Sequence, residues 1–227
     1  MSDKVLIVTG AFGALGSALV DAALHCGWRV AAVDHASARR GGGPEGVFDV
    51  AGVDLSDAAQ ADAAAAAVVE RYGRVDGLAN VAGGFEWRTV AEAEPALWER
   101  LWRMNVLTAA NACRAALPHL ERSGGGRIVN VGANGAVKAA AGMGPYAATK
   151  AGVHRLTEAL GEEWKGRVAV NAVLPSILDT PQNRADMPDA DASTWVTPEA
   201  IAKVMLFLLS EDAAPVTGAL IPVTGGV

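Results

Sequence analysis

A chain of 227 residues, 51% of them hydrophobic, is long enough for the core of one α/β domain and too short for two, so we expect a single domain over residues 1–227. Charged residues make up only 19% and the formal net charge is −6, which argues against nucleic acid as a partner because no broad cationic surface is available. The sequence has no run of roughly 18 apolar residues, so we expect no membrane contact either.

The cysteines and the first residues predict the compartment and the metal content. Cys26 and Cys113 are too few for a disulfide framework or a cysteine metal cluster. The first ten residues, MSDKVLIVTG, lack the apolar core and the cleavage site of a secretory signal peptide. We therefore expect a cytoplasmic protein with no bound metal.

Short β-branched runs alternate with longer helical patterns along the chain. We predict strands at residues 4–8, 28–33, 47–50, 77–81, 127–131, 168–174 and 219–223. We predict helices from residue 14 onward and at residues 56–72, 95–121, 145–164 and 198–209. Several strands are almost entirely small and apolar, which is typical of strands covered by helices on both faces. The alternation predicts an α/β fold with one doubly wound parallel sheet of about seven strands.

The segment 175–197 does not fit this alternation. It holds three prolines and several acidic or amide side chains with little periodicity. It is also long for a connection within a compact domain. We predict that this segment is a lid over the substrate.

A glycine-rich turn, TGAFGALG, follows the first predicted strand and opens the first helix. Glycines at this spacing allow a sharp turn, and the helix N-terminus that follows favours a bound pyrophosphate. A tight turn without a ligand is the alternative, but the position after the first strand favours nucleotide binding. The residues expected to line the dinucleotide here are Gly10, Phe12, Gly13, Ala14, Leu15 and Gly16.

An acidic residue, Asp34, ends the second predicted strand, 18 residues after Gly16. A carboxylate there accepts hydrogen bonds from the ribose hydroxyls of the adenosine and repels a 2′-phosphate, so it favours NAD over NADP. Arg39 and Arg40 follow in a glycine-rich loop, where a basic pair could bind that phosphate. We interpret them as solvated side chains.

Tyr146 and Lys150 are four residues apart on a predicted helix, so both side chains project from one face. A free phenol titrates at about pH 10, and an ammonium beside it, together with a positively charged oxidised nicotinamide, favours the phenolate. A lowered pKa would make Tyr146 an acid or base usable near neutral pH. The pair is therefore the candidate for proton transfer.

The whole chain resembles the short-chain dehydrogenases/reductases, a family of Rossmann-type enzymes. The motifs that carry the resemblance are the glycine turn, NVAGG at residues 80–84, MNV at 104–106, YAATK at 146–150, NAVLPSILDTP at 171–181 and a final VTGG. The resemblance implies that Tyr146 is the proton donor, and that Lys150 binds the nicotinamide ribose and lowers the tyrosine pKa. It also implies that Asn105 holds a water in a proton relay, although a buried helix asparagine without that role is the alternative.

The same resemblance implies further contacts with the cofactor and between subunits. Asn80 would support the centre of the sheet beside the cofactor. The other implied cofactor contacts are Asp54 and Leu55 at the adenine, Ala82 and Gly83 in NVAGG, and Pro175, Ile177 and Thr180 at the carboxamide and nearby phosphates. Family members pair through the long helices that here end near Glu121 and Trp164, so we expect a homodimer or homotetramer.

Two departures from the family pattern narrow this interpretation. The glycine spacing is TGxxGxxG rather than the commoner TGxxxGxG, and Ala133 stands where most members have a serine, thirteen residues before the tyrosine. The substrate carbonyl thus loses its usual second hydrogen-bond donor. Asn134 is adjacent, but at a strand end we expect it to face the opposite way.

One branch of the family, the dihydropteridine reductases, shares both departures and resembles this chain in GALGS, VAGG, AGMGPY and the lid run VLPSILDTPQNRADMPDADASTW. A quinonoid dihydropterin accepts hydride into a conjugated imine whose basic nitrogen takes the tyrosine proton, so a serine is less needed. Phe85 and Trp87 either form a platform for such a ring or belong to the core.

The sequence therefore predicts an enzyme that transfers hydride between NADH and a small planar or carbonyl substrate, with quinonoid dihydropteridine as the leading candidate. NADH is the expected cofactor and NADP the less favoured one. An ordinary ketone or 3-oxoacyl reductase is the first alternative, with Asn134 or a main-chain amide replacing the serine. The second is a nucleotide-sensing protein that has lost catalysis.

Overall fold

The computed structural model describes residues 3–39 and 42–226, so Arg40 lies outside the described residues. Seven parallel strands form one sheet in the order β3-β2-β1-β4-β5-β6-β7, which confirms the predicted fold class. The strands are β1 (Val5–Thr9), β2 (Arg29–Asp34), β3 (Phe48–Ala51), β4 (Gly77–Asn80), β5 (Arg127–Val131), β6 (Ala169–Pro175) and β7 (Leu220–Val223).

Helices cover both faces of this sheet. They are α1 (Ala14–His25), α2 (Ala58–Tyr72), α3 (Pro95–Trp102), α4 (Thr108–Arg122), α5 (Gly144–Glu163), α6 (Pro181–Asp186) and α7 (Pro198–Leu209). One apolar cluster packs α2 and α4 on the sheet, and a second packs α1 and α7 on the opposite face. All five residues of β1 are therefore buried, as the apolar run VLIVT predicts.

The strand order reverses between β1 and β4. The chain first winds outward from β1 through β2 to β3, and it then returns to pair β4 with the other edge of β1. In doubly wound sheets a crevice opens at such a switch point, beside the carboxyl ends of the strands. The fold thus places the glycine turn after β1 and the NVAGG segment after β4 side by side.

The helix predicted from residue 56 begins two residues later. The Asp57 side chain accepts hydrogen bonds from the backbone N–H groups of Ala59 at 2.8 Å and Gln60 at 3.4 Å. Asp57 is therefore the N-cap of α2, and Ser56 stays in the preceding turn.

The prediction of one continuous helix over residues 95–121 is wrong, because the helix is interrupted. A π-helical turn, Arg103–Leu107, separates α3 from α4, and the Thr108 N–H donates to the Arg103 carbonyl five residues earlier. Turns of this kind widen a helix locally and often lie at functional sites. This one carries Asn105.

The predicted lid is more ordered than its sequence indicates. It contains the short helix α6, capped by the Thr180 hydroxyl, and a 3₁₀ turn at Ala192–Thr194. The Arg184 guanidinium binds both carboxylate oxygens of Asp179, at 2.6 and 2.8 Å. Trp195, near the end of this segment, is buried. Six residues are too few for helical periodicity to be recognised, which explains the missed helix.

Judged by length and hydropathy, no helix in the described part of the chain could span a membrane.

Candidate active site

A cavity of about 1110 Å³ opens at the switch point of the sheet. Most of the residues predicted to bind the cofactor or to transfer protons line this one cleft. They are Gly10, Phe12, Gly13, Ala14, Leu15, Gly16, Asp34, Asp54, Leu55, Ala82, Gly83, Tyr146 and Lys150. The volume suits a ligand of dinucleotide size, because small-molecule sites of about 300–1,000 Å³ hold compounds of drug size.

The glycine turn brings three backbone segments close together. Gly10 has φ +63°, and a Cβ there would lie 2.8 Å from the backbone of Ala82. A Cβ on Gly16 would overlap the Gly10 carbonyl, so only glycine fits there as well. No side chain among the described residues caps the N-terminus of α1, which begins after Gly13. These first amides are therefore available to an anion, as a pyrophosphate requires.

Asp34 is held at the end of β2 by two backbone donors. Its carboxylate accepts from the Phe12 N–H and from the Ala36 N–H, both at 2.9 Å. The prediction that Arg39 is a solvated side chain is wrong, because the side chain is largely buried. Its guanidinium pairs with Asp49 at 3.2 Å and lies 4.8 Å from the centre of the Phe12 ring. Arg39 is thus already engaged by an acid and an aromatic ring, whereas Arg40 is not described.

Asp54 and Leu55 line the same cleft as Asp34. The Asp54 carboxylate accepts the Ser56 N–H at 2.9 Å, and hydrogen bonds from Ser56 hold the pKa of Asp54 below its usual value. Arg103 reaches Ser56 from the π-helical turn, with a distance of 3.0 Å to the hydroxyl oxygen. The pocket expected for the adenine is therefore bounded by fixed side chains.

Asn105 is buried, and its side chain is already hydrogen-bonded within the protein. Its Oδ1 accepts the Gly84 N–H at 2.9 Å, and its Nδ2 donates to the Gly84 carbonyl at 3.1 Å and to the Thr149 hydroxyl at 3.0 Å. A Cβ on Gly83 would lie 2.7 Å from Asn105 Oδ1 and 3.2 Å from Lys150 Nζ. Asn105, Gly83 and Lys150 thus meet at one point, and the water relay stays a prediction.

Tyr146 and Lys150 project from the same face of α5 into the cleft, as their spacing predicts. Lys150 Nζ donates a 2.8 Å hydrogen bond to the Val131 carbonyl. Burial lowers the pKa of Lys150 to about 8 and raises the pKa of Tyr146 to about 12. The expected lowering of the tyrosine pKa is therefore not a property of the protein alone, because desolvation disfavours both charges.

The remaining predicted contacts lie outside the lining of the cleft. Asn80 is buried in the sheet, where its Nδ2 donates to Asn130 Oδ1 at 2.9 Å. Pro175 ends β6, the Ile177 carbonyl accepts the Val196 N–H, and the Thr180 hydroxyl caps α6. Within the predicted lid, Leu178 is the described residue that lines the cleft. The expected contacts of Pro175, Ile177 and Thr180 with the nicotinamide stay predictions.

Ala133 lies in the turn after β5, and a histidine that the sequence analysis did not consider lies beneath it. The Ala133 N–H donates to Nε2 of the buried His154 at 3.3 Å. Asn134 starts a 3₁₀ turn rather than ending a strand, and it is not among the residues that line the cleft. Neither the Ala133 amide nor Asn134 is thus presented to a ligand in place of the serine. His154 lies four residues after Lys150 on α5. This spacing is the feature of the sequence that could have identified His154 as a neighbour of the site.

Phe85 and Trp87 do not belong to the core, because 56% and 53% of their surfaces are exposed. The Phe85 ring lines the cleft beside Tyr146. The indole of Trp87 lies over Gly142 and donates to the Ala141 carbonyl at 3.2 Å, and the Arg88 N–H donates to the Gly142 carbonyl at 2.9 Å. These two hydrogen bonds connect the loop after β4 to the segment that precedes α5.

Within residues 3–39 and 42–226, no three His, Cys, Asp or Glu side chains are grouped so that they could hold a metal ion.

Comparisons with known proteins agree with this geometry. The family model described as short chain dehydrogenase matches residues 4–191. D-threitol dehydrogenase of Mycolicibacterium smegmatis is 33% identical over 100% of this chain and 93% of its own length. The 3-oxoacyl-(acyl-carrier-protein) reductase of Thermotoga maritima is 29% identical over 100% of this chain and 98% of its own.

Among solved structures, the 3-ketoacyl-(acyl-carrier-protein) reductase of Brucella melitensis complexed with NADH superposes with a TM-score of 0.88. It is 28% identical, and the match covers 98% of this chain and 97% of that one. These proteins are named for polyol and 3-oxoacyl substrates. The resemblance to dihydropteridine reductases therefore stays a prediction from the sequence motifs.

Proposed function

The chain belongs to the short-chain dehydrogenase/reductase family, and from that premise we propose that it is an NADH-dependent reductase of a small planar acceptor, with quinonoid dihydropteridine as the leading candidate. Bound NADH supplies the hydride in such a reaction. The protein supplies the orientation of both reactants and one proton. The observation that carries this proposal is that Ala133 stands in place of the serine, so the site lacks the second hydrogen-bond donor that the family usually places beside the tyrosine.

The serine of the family is replaced by Ala133, whose own N–H is taken by His154. A ketone oxygen that becomes an alkoxide gains from two donors, because charge develops on it in the transition state. A conjugated imine needs one proton on a nitrogen that is already basic. The single donor therefore favours an imine-type acceptor over a ketone.

Tyr146 is suited to donate that proton in the direction of reduction. Burial raises the pKa of Tyr146 to about 12, so the phenol keeps its proton at neutral pH. Lys150 lies on the same face of α5 and brings positive charge toward the phenolate that remains after the transfer. Asn105 fixes Gly84 and Thr149 around this pair, which holds the donor in place.

The choice of NADH is proposed from Asp34. Its carboxylate is fixed by two backbone donors at the end of β2, where adenosine hydroxyls are bound in folds of this kind. A 2′-phosphate would meet this negative charge, and Arg39 is already paired with Asp49. We expect Asp34→Asn to weaken NADH binding by about tenfold and to reduce the preference for NADH over NADPH. Asp21→Asn, on the exposed face of α1, is the control.

A second candidate function, reduction of a ketone or 3-oxoacyl group, is favoured by the names of the relatives. The 29% identity to a 3-oxoacyl-(acyl-carrier-protein) reductase extends over the whole chain. In such a reaction Tyr146 would be the sole polarising group on the carbonyl. The missing donor would then lower the rate rather than prevent the reaction.

One experiment separates the two candidates. Purified protein is mixed with NADH and offered either quinonoid dihydropterin or a panel of ketones and 3-oxoacyl thioesters, while NADH absorbance is followed. We expect faster turnover with the pterin, and Tyr146→Phe serves as the inactive reference. Faster turnover of a ketone would favour the second candidate. NADH binding without turnover on any acceptor would instead support a nucleotide-sensing protein.

We also propose that the chain associates through α4 and α5, as the family resemblance implies. The mass in solution, measured by light scattering, is expected to be that of a dimer or a tetramer. A monomer at all concentrations would contradict this proposal.

A further inference from the structure

The end of β5 and the turn that follows it are held by three hydrogen bonds, two to side chains of α5 and one to the backbone of β6. The Val131 carbonyl accepts from Lys150 Nζ at 2.8 Å, and the Gly132 N–H donates to the Val173 carbonyl at 2.9 Å. The Ala133 N–H donates to His154 Nε2 at 3.3 Å. Two of these partners, Lys150 and His154, lie one helical turn apart on α5.

His154 packs directly beneath this turn. Only 3% of its surface is exposed. A Cβ on Gly132 would lie 2.5 Å from His154 Nε2 and 2.7 Å from Cδ2, so any larger residue at position 132 would collide with the imidazole. The contact thus combines a hydrogen bond with close packing, and a small shift of the ring would move the turn.

The hydrogen bond defines the chemical state of the imidazole. An N–H group donates to Nε2, so Nε2 carries no proton, and in the neutral ring the proton is on Nδ1. Burial, followed by the positive charges of Arg155 and Lys150, holds the pKa of His154 below its usual value. The buried environment and the hydrogen bond from the Ala133 N–H therefore both favour the neutral imidazole of His154.

We propose that His154 is a positioning residue, which by accepting the Ala133 N–H fixes the turn after β5 and with it the Val131 carbonyl that orients the Lys150 ammonium. The Val131 carbonyl takes one of the three donors of this ammonium and leaves two for the cleft. It also compensates part of the cost of burying the charge. The proposal deepens the proposed function, because it rests on Lys150 acting beside Tyr146.

The first test does not depend on any substrate. Side-chain ¹⁵N shifts of the four histidines are measured by NMR between pH 6 and pH 8, and His154→Gln identifies the signal that belongs to His154. At pH 7 and above, we expect a neutral ring with the proton on Nδ1, because burial holds the pKa of His154 below its usual value. A proton on Nε2, or an imidazolium at pH 7, would overturn the proposal.

The second test measures the lysine itself. The rate at which a small acetylating reagent modifies Lys150, located by mass spectrometry, is followed against pH and gives the lysine pKa. His154→Leu leaves the Ala133 N–H without an acceptor, whereas the side-chain oxygen of His154→Gln can still accept it. We expect a lower pKa of Lys150 in the leucine variant and a nearly unchanged one in the glutamine variant. An equal lysine pKa in all three proteins would contradict the proposal.

The third test is kinetic and separates a positioning role from a structural one. We expect His154→Leu to lower kcat by about tenfold or more with the NADH Kd within a factor of two, and His154→Gln to keep most of the activity. His25→Gln, at an exposed position on α1, is the control. Equal kcat in the leucine variant and the wild type would overturn the proposal.

The failure of this inference is distinguishable from that of the proposed function. A wild type without activity on any acceptor would contradict the proposed function, while the NMR and labelling results would still decide the role of His154. If His154→Leu does not fold, the histidine shifts of the wild type and the comparison with His154→Gln remain decisive.

Discussion

The ring of Phe85 stands edge-on against the ring of Tyr146, with an angle of 85° between the planes and 4.9 Å between the centroids. More than half of the Phe85 surface is exposed, and the ring lines the cleft. The neighbour of the proposed proton donor is thus an apolar ring that a planar acceptor could contact. Such aromatic pairs contribute about 0.5–1.5 kcal/mol beyond the area that they bury.

We expect Phe85→Ala to raise KM for the acceptor by about five- to tenfold and to leave the NADH Kd nearly unchanged, because the ring lines the cleft beside the proposed proton donor. Steady-state kinetics and calorimetry measure the two quantities. Phe207→Ala, which removes an exposed ring from α7, is the matched control. A KM equal to that of the wild type would show that Phe85 does not contact the acceptor.

The hydroxyl of Tyr146 is expected to be essential for turnover and dispensable for cofactor binding. Tyr146→Phe keeps the ring and its contact with Phe85 but removes the proton donor, so we expect kcat to fall by about a hundredfold or more. Tyr72→Phe is the control, since Tyr72 is the other tyrosine of the chain and its hydroxyl lies 3.4 Å from the Val30 carbonyl, outside the cleft. Comparable kcat in the two variants would refute the assigned role.

Burial of the Lys150 ammonium is expected to cost stability. The unfolded chain keeps a lysine pKa of 10.5, whereas burial lowers it to about 8 in the folded protein. Between these two pH values the unfolded chain binds more protons, so the stability of the wild type rises with pH across that window. A difference of this size corresponds to about 3 kcal/mol at neutral pH.

Lys150→Met removes this buried charge, so we expect the variant to be inactive but about 1–3 kcal/mol more stable than the wild type at pH 7, after allowance for the lost hydrogen bond to Val131. The advantage should shrink as the pH rises from 8 toward 10. Urea unfolding at several pH values measures it, with Lys203→Met on the exposed side of α7 as the control. An advantage that does not change with pH would contradict the shifted lysine pKa.

The sequence predicted those parts of the site whose geometry is local. The spacing of Tyr146 and Lys150 on one helix, and the position of Asp34 at the end of a strand, follow from the periods of helices and strands. Apolar runs were likewise sufficient to predict seven parallel strands. The start of α2 shifted by two residues, from residue 56 to Ala58. The π-helical turn before α4 and the short helix α6 were missed.

The parts that were missed depend on contacts between distant segments. His154 meets Ala133 across the junction of α5 and β5, and Arg39 packs on Phe12 from a loop 27 residues later. Neither contact could be predicted from the periodicity of a helix or a strand, because each joins two segments that are distant in the sequence. The desolvation that keeps the pKa of Tyr146 high is also a property of the assembled cleft, whereas the expected lowering considered only the neighbouring charge.

Replacing Ala133 with serine tests whether the missing second hydrogen-bond donor determines which substrates the site accepts. Ala133→Ser would restore a hydroxyl at the family position, and we expect it to raise kcat/KM for ketones by about tenfold, because a second hydrogen bond would stabilise the developing alkoxide. Turnover of an imine-type acceptor should change by less than a factor of three, since its nitrogen takes a single proton from Tyr146. Ala139→Ser, at an exposed position of the same segment, controls for the added hydroxyl. An equal gain for both acceptor classes would show that the missing serine does not determine the substrate. A gain confined to ketones would identify Ala133 as the residue that disfavours ketones as substrates.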